Sequence, residues 1–292
     1  MSWDPSQYLK FGNERLRPAL DLLARVPLDA PQKVVDLGCG AGNVTQFIAQ
    51  RWPLAEVSGV DSSADMLAKA RSAWPVARAA GSATNSADQA AALPAAQWIE
   101  SGIGEWQPAA PVDLIYSNAA LHWLPGHAQL FPALMAKLTP GGVLAVQMPR
   151  NWGAPSHTSI DAALDALGLT PAQRASINAA KLNTPVSEPA HYYDWLKPHA
   201  AQIDLWETLY THVLTGENAV AEWVKGTALI PVMNGLKALV GAGAGGMTAE
   251  NGLHQRFWVD YCARTNAAYP RRSDGTTLLQ FRRLFLVVVK SS

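Results

Sequence analysis

Residues 34–43 read VVDLGCGAGN, and within that run Asp36, Gly38, Gly40 and Gly42 stand on alternate positions. An apolar run that ends in an acid and then in a glycine-rich turn is the sequence of a buried strand feeding a helix whose start holds part of a nucleotide. The dinucleotide form of such a turn is Gly-x-Gly-x-x-Gly. Its third glycine falls at position 43, where the chain carries Asn43. Twenty-five residues after Asp36, the run EVSGVD closes on Asp61, a carboxylate placed to accept both hydroxyls of a ribose. The chemistry implied is nucleotide binding, and the spacing of the glycines bears on which nucleotide.

Those residues need strands to carry them. KVVDLGCG predicts a buried strand, NVTQFIAQRW the helix after it, EVSGVD a second strand, and SADMLAKARSAW a second helix capped by Ser62 or Ser63. QWIESG, VDLIYSN and GGVLAVQMP predict three further strands, with AQLFPALMAKL a helix between the last two. A helix over 14–25 precedes them all. Residues 77–97 and the GAGAGG run at 241–246 are low-complexity and predict surface insertions.

Strands alternating with helices imply a Rossmann-like, doubly wound, mostly parallel α/β sheet. Residues 1–150 are expected to form the cofactor-binding core. Over 151–292, helical stretches at 155–200 and 216–272 predict a cap over the carboxyl edge of the sheet. Two late strands, at about 202–213 and 278–290, are expected to bring the sheet to seven.

Composition excludes several function classes. Of 292 residues, 23 are basic and 23 acidic, so no general field attracts nucleic acid or an anionic membrane. No Cys or His pair has metal-ligand spacing, and Cys39 and Cys262 are far apart, which fits a reduced, cytoplasmic setting without a metal. The start of the chain lacks a signal-peptide pattern, and no apolar run is long enough to span a bilayer.

The glycine pattern acid-x-Gly-x-Gly-x-Gly is the form that wraps the amino-acid end of S-adenosylmethionine. A nicotinamide cofactor is the alternative that Asn43 disfavours. Asp61 does not choose between them, since either cofactor brings a ribose. Met66, one turn into the next helix, could cover an adenine face, with core packing as the plainer reading.

With VVDLGCGAGN and Asp61 in place, the chain resembles the class I S-adenosylmethionine-dependent methyltransferases. The strings WDPSQYLKF, NAALHWLPGH, GGVLAVQMPRNW, AHYYDWL, LWETLYTHVL, EWVKGTALIP and FRRLFLVVV resemble the trans-aconitate 2-methyltransferase family within that class. The resemblance implies S-adenosyl-L-methionine as cofactor and a small polycarboxylate as acceptor, methylated to its monomethyl ester. It implies cofactor contacts from Asp36, Gly38, Gly40, Gly42, Asn43, Asp61, Ser62 and Met66. Asn118 and Trp123, which bracket AALH after the fourth strand, join them. Gly102 stands where members carry an acid that meets the adenine amino group, so adenine is left to backbone groups around Gly102 and Ile103. Tyr8 and Arg15 are expected to close over the cofactor.

An ionised carboxylate needs no general base, so no catalytic acid or base is expected. Substrate-holding donors are expected among Tyr192, Tyr193, Tyr210, His212, Trp223 and Arg283, each of which could instead be structural. Another small acid as acceptor, or a module that binds the cofactor without catalysis, are the remaining readings.

Overall fold

The computed structural model describes residues 12–74, 93–180, 186–241 and 252–292. Tyr8 and the side chain of Arg15 lie outside the described residues, as do most of the 77–97 insertion and the GAGAGG run after Gly241.

Helix α1 (Gly12–Ala24) leads into β1 (Lys33–Leu37), buried at every position after the first. Then follow α2 (Thr45–Arg51), β2 (Glu56–Asp61), α3 (Ala64–Ala73), β3 (Gln97–Glu100) and β4 (Val112–Asn118). After a 3₁₀ turn at Leu121–Trp123 come α4 (His127–Ala136) and β5 (Leu138–Pro149). The sheet has seven strands in the order β3-β2-β1-β4-β5-β7-β6. The pairs β1–β2, β1–β4, β2–β3 and β4–β5 are parallel, and β5–β7 is antiparallel. Strand order reverses direction between β1 and β4, the position at which open α/β sheets bind ligands.

The Pro-Gly-Gly expected to precede β5 lies within it. Val112 pairs with Leu138 and Leu114 with Val143, so the extra residues are absorbed as a bulge, with Gly141 at φ 74°. The two late strands are β6 (Ala200–Thr215) and β7 (Thr276–Lys290), each a few residues longer than expected. Between them and β5 lie α5 (Pro155–Asp165), α6 (Pro171–Ala180), α7 (Pro189–Leu196), α8 (Ala219–Lys225), α9 (Leu229–Gly241) and α10 (Leu253–Ala268).

The chain divides into two compact units, and the division is not at residue 150 alone. Val186–Thr208 and Arg283–Ser292 group with Arg15–Pro149, while Arg150–Pro185 and Leu209–Arg282 form the second unit. The reason is α7: its Tyr192 and Leu196 are fully buried in the cluster built on Val35, Ile115, Phe131 and Leu286. The helical unit has its own core, with Trp223, Leu229, Leu236, Phe257 and Tyr261 at its centre, and Tyr261 Oη donates to the Ser156 carbonyl at 2.7 Å. No helix among the described residues is long and apolar enough to cross a membrane.

Candidate cofactor and acceptor site

At the end of β1, Asp36 is 2% exposed and accepts a 2.6 Å hydrogen bond from Thr45 Oγ1, which ties the strand to the first residue of α2. Burial pushes its carboxyl up to about 7; the Thr45 bond opposes that rise, and the charge of Asp61 adds to it. Beyond Asp36 the turn bends back on β2: the N–H groups of Gly38 and Cys39 donate to the Val60 carbonyl at 2.8 and 3.0 Å. Gly38 (φ 81°) and Gly42 (φ 76°) occupy left-handed backbone, and both are also crowded. A Cβ on Gly38 would stand 2.3 Å from the Ala120 Cβ, and one on Gly42 2.7 Å from the Trp98 ring. Trp98, on β3, was not singled out by the sequence reasoning. Its contact with the turn crosses 56 residues of chain, and no local pattern marks it.

Asp61 is the junction between the turn and β2. Its Oδ2 accepts from Gly40 N at 2.8 Å and its Oδ1 from Ser63 N at 2.9 Å, so both oxygens are oriented by backbone donors and each keeps a lone pair. Ser63 caps α3 through its hydroxyl, accepting from Met66 N at 3.3 Å. Ser62 and Asn43 are exposed, and Met66 is half-buried. The turn after β3 is tied to the same place, because Ser101 N donates to the Asp61 carbonyl at 3.1 Å. Within it, Ile103 Cδ1 lies 3.3 Å from where a Gly38 Cβ would be, and the Glu105 carboxylate reaches back over Gly102. The glycine turn thus carries one carboxylate oriented by backbone donors, and that carboxylate suits a ribose offering two hydroxyls.

A second cluster lies at the carboxyl ends of β4 and β5. Asn118 and Gln147 are register partners on these strands, and Pro149 pairs with Arg283 of β7. Arg283 is 6% exposed and donates Nη1 to Gln147 Oε1 at 3.3 Å. His122, in the 3₁₀ turn after β4, has its pKa pulled down to about 3 by burial first and then by the Arg283 guanidinium and the neighbouring His127 ring, so it is neutral. Its ring lies 4.9 Å from that of Trp123, which is 43% exposed.

The expected substrate residues separate. Tyr192 sits in the core: it is fully buried, its hydroxyl lies 2.6 Å from His127 Nδ1, and it accepts from Ser187 N at 3.2 Å. His127 Nε2 lies 3.0 Å from the Leu121 carbonyl, an acceptor only, so Nε2 carries the proton and Nδ1 accepts from Tyr192. Tyr193, on the same helix, is 45% exposed. Tyr210, His212 and Trp223 are brought together in the helical unit. Alternation along β6 puts Tyr210 and His212 on one face, and His212 stacks on Trp223 at 4.5 Å beside Phe281. Among the described residues, no group of three or more His, Cys, Asp or Glu is placed to hold a metal ion.

Comparison with known proteins agrees with this geometry. A family model described as a methyltransferase domain matches residues 8–188. A trans-aconitate 2-methyltransferase of Azoarcus sp. is 45% identical over 99% of both chains, and one from Paracidovorax citrulli is 41% identical over 99% of both. Among solved structures, a putative methyltransferase from Bacillus halodurans superposes with a TM-score of 0.52 at 12% identity, covering 94% of this chain and 100% of that one. A Haemonchus contortus phosphoethanolamine N-methyltransferase, in complex with phosphomonomethylethanolamine and S-adenosylhomocysteine, gives 0.51 at 14% identity, covering 94% of this chain and 53% of that one. These two likenesses concern the fold alone. The full-length relatives go further, and the chain belongs to the trans-aconitate 2-methyltransferase family of class I S-adenosylmethionine-dependent methyltransferases.

Proposed function

We propose that this enzyme transfers a methyl group from S-adenosylmethionine to one carboxylate of trans-aconitate, giving the monomethyl ester and S-adenosylhomocysteine. The observation that carries the acceptor class is Arg283, a guanidinium buried at 6% exposure beside the carboxyl end of β5. Arginine stays charged at any working pH, and a buried fixed cation with a fork of donors suits a carboxylate. The names of the relatives, each called trans-aconitate 2-methyltransferase, support the particular acid.

When bound, S-adenosylmethionine would supply an electrophilic sulfonium methyl to the ionised carboxylate and leave as the neutral thioether, a transfer that requires no proton to move. In this reading Asp61 holds the ribose hydroxyls, and Asp36 with the Gly38–Gly42 turn receives the amino-acid end. Ile103, Met66 and the Gly102 backbone border the adenine. Asn118 and Trp123 flank the reacting centre. The protein contributes placement and exclusion of water, because the acceptor is ionised well below neutral pH.

The test is methyl transfer from labelled S-adenosylmethionine across a panel of di- and tricarboxylates, with the ester identified by mass. Trans-aconitate is expected to give the highest kcat/KM. That value should stay flat from about pH 6 to 8 at saturating cofactor, for want of a titrating base. Methylation confined to phenols or amines, with a rate rising tenfold per pH unit, would overturn the reading.

A further inference from the structure

Three polar side-chain atoms around the carboxyl ends of β4 and β5 are buried with no hydrogen-bond partner: Asn118 Oδ1, His122 Nδ1 and Gln147 Nε2. Leaving such an atom unpaired costs about 1 to 3 kcal/mol; Asn118 Oδ1 can only accept, whereas Gln147 Nε2 donates and His122 Nδ1 is able to, so those two call for a ligand that accepts from them. Gln147 is 0% exposed and His122 8%.

The donor and acceptor roles are set by neighbours. A guanidinium has only donors, so Gln147 must turn Oε1 toward Arg283, and that fixes Nε2 as a donor pointing elsewhere. His122 is neutral, for the causes given above, and a neutral imidazole places its single proton on whichever nitrogen the ligand requires. The cluster therefore offers one permanent charge and two neutral donors. That combination matches one carboxylate in charge and can pair its remaining lone pairs without adding a second positive charge.

We propose that Gln147 and His122 are specificity-determining residues that, together with Arg283, clamp a carboxylate of the acceptor other than the one that is methylated. The clamp is assigned to a non-reacting group because pairing with a guanidinium stabilises the anion and would blunt the nucleophile. It rests on the carboxylate-acceptor reading above and adds to it the residues that distinguish a polycarboxylate from a monocarboxylate. Neither residue carries the transfer itself.

Gln147→Ala, His122→Asn and His122→Phe would be compared with the wild type, after circular dichroism and S-adenosylhomocysteine titration show that each variant is folded and binds cofactor normally. For trans-aconitate, Gln147→Ala and His122→Phe should raise KM at least tenfold with kcat within about twofold. His122→Asn, which keeps a donor near the Nδ1 position, should recover most of that loss. For a monocarboxylate acceptor the same variants should leave KM unchanged. Equal losses for mono- and polycarboxylates, or a fall in kcat at constant KM, would overturn the clamp.

Direct binding separates this outcome from failure of the broader reading. Trans-aconitate titrated into enzyme saturated with S-adenosylhomocysteine should bind wild type at least tenfold more tightly than Gln147→Ala, whether or not methylation follows. Equal binding overturns the clamp on its own.

Discussion

Glu105 folds back over Gly102: a Cβ placed on Gly102 would lie 3.0 Å from Glu105 Oε2 and 3.3 Å from its Cδ. The glycine thus makes room for a carboxylate that arrives from three residues further along the same turn, where Glu105 N also donates to the Gly102 carbonyl at 3.1 Å.

The first prediction concerns that pair. Gly102→Asp sets a second carboxylate against the first, and like charges at about 4 Å repel by about 1 to 4 kcal/mol, depending on how much water separates them. Stability and affinity for S-adenosylhomocysteine should both fall, and Glu105→Gln in the same chain should restore them. Urea denaturation and calorimetric titration of the single and double variants check this. Tighter binding by the single variant would show that the new carboxylate is accommodated.

Asp61→Ala should weaken cofactor binding by roughly 2 to 3 kcal/mol, since it removes a charged acceptor shared by two hydroxyls. It should also loosen the turn, because Gly40 N and Ser63 N lose their partner. The two effects separate with an S-adenosylhomocysteine analogue lacking both ribose hydroxyls. The part of the loss that persists with that analogue belongs to the turn, and the remainder to the ribose contact.

Asp36 should make the ligand-free enzyme less stable as pH rises. Its carboxyl titrates near 3.8 when unfolded and at about 7 when folded, so between those values the native state binds the proton that the unfolded state has released. Stability from this group therefore declines as pH rises from about 4 to 7, and the penalty is complete above 7. Asp36→Asn should be more stable than wild type at pH 8 by about 1 to 3 kcal/mol and close to it near pH 4, while losing cofactor affinity. Denaturant melts of the two proteins across pH decide it. A constant difference between them would mean that Asp36 does not titrate in that window.

Tyr192→Phe should cost about 1 to 3 kcal/mol of stability, because His127 Nδ1 is left buried without its donor. KM for trans-aconitate should not change. A selective rise in KM at unchanged stability would return Tyr192 to the acceptor site.

The alternation of strands and helices was legible in the sequence because parallel strands buried on both faces read as continuous apolar runs, as VVDL and VDLIY do. The cofactor turn was legible because its residues are local: Asp36 to Gly42 is one loop, and Asp61 ends the next strand. The acceptor cluster was not. Gln147 looks like one polar residue in an apolar strand until β7 is paired antiparallel to β5, and that pairing brings Arg283 from 136 residues away. The place of Tyr192 was illegible for the converse reason: an aromatic with a polar tip reads alike whether it meets a ligand or a buried histidine.

β6 and β7 each carry the chain from one compact unit to the other, β6 between Thr208 and Leu209 and β7 between Arg282 and Arg283. The edge of β5 from Val143 to Pro149 is covered only by residues 283–289, from nearly the end of the chain. A gene truncated after codon 150 would encode the whole cofactor turn, yet leave that apolar edge open to template aggregation. Nor can one recombination crossover exchange the helical unit between paralogues. Breakpoints after Pro149, Pro185, Thr208 and Arg282 would be needed to exchange its two segments, the last of them beside Arg283, so acceptor preference in this lineage is free to drift mainly by point substitution.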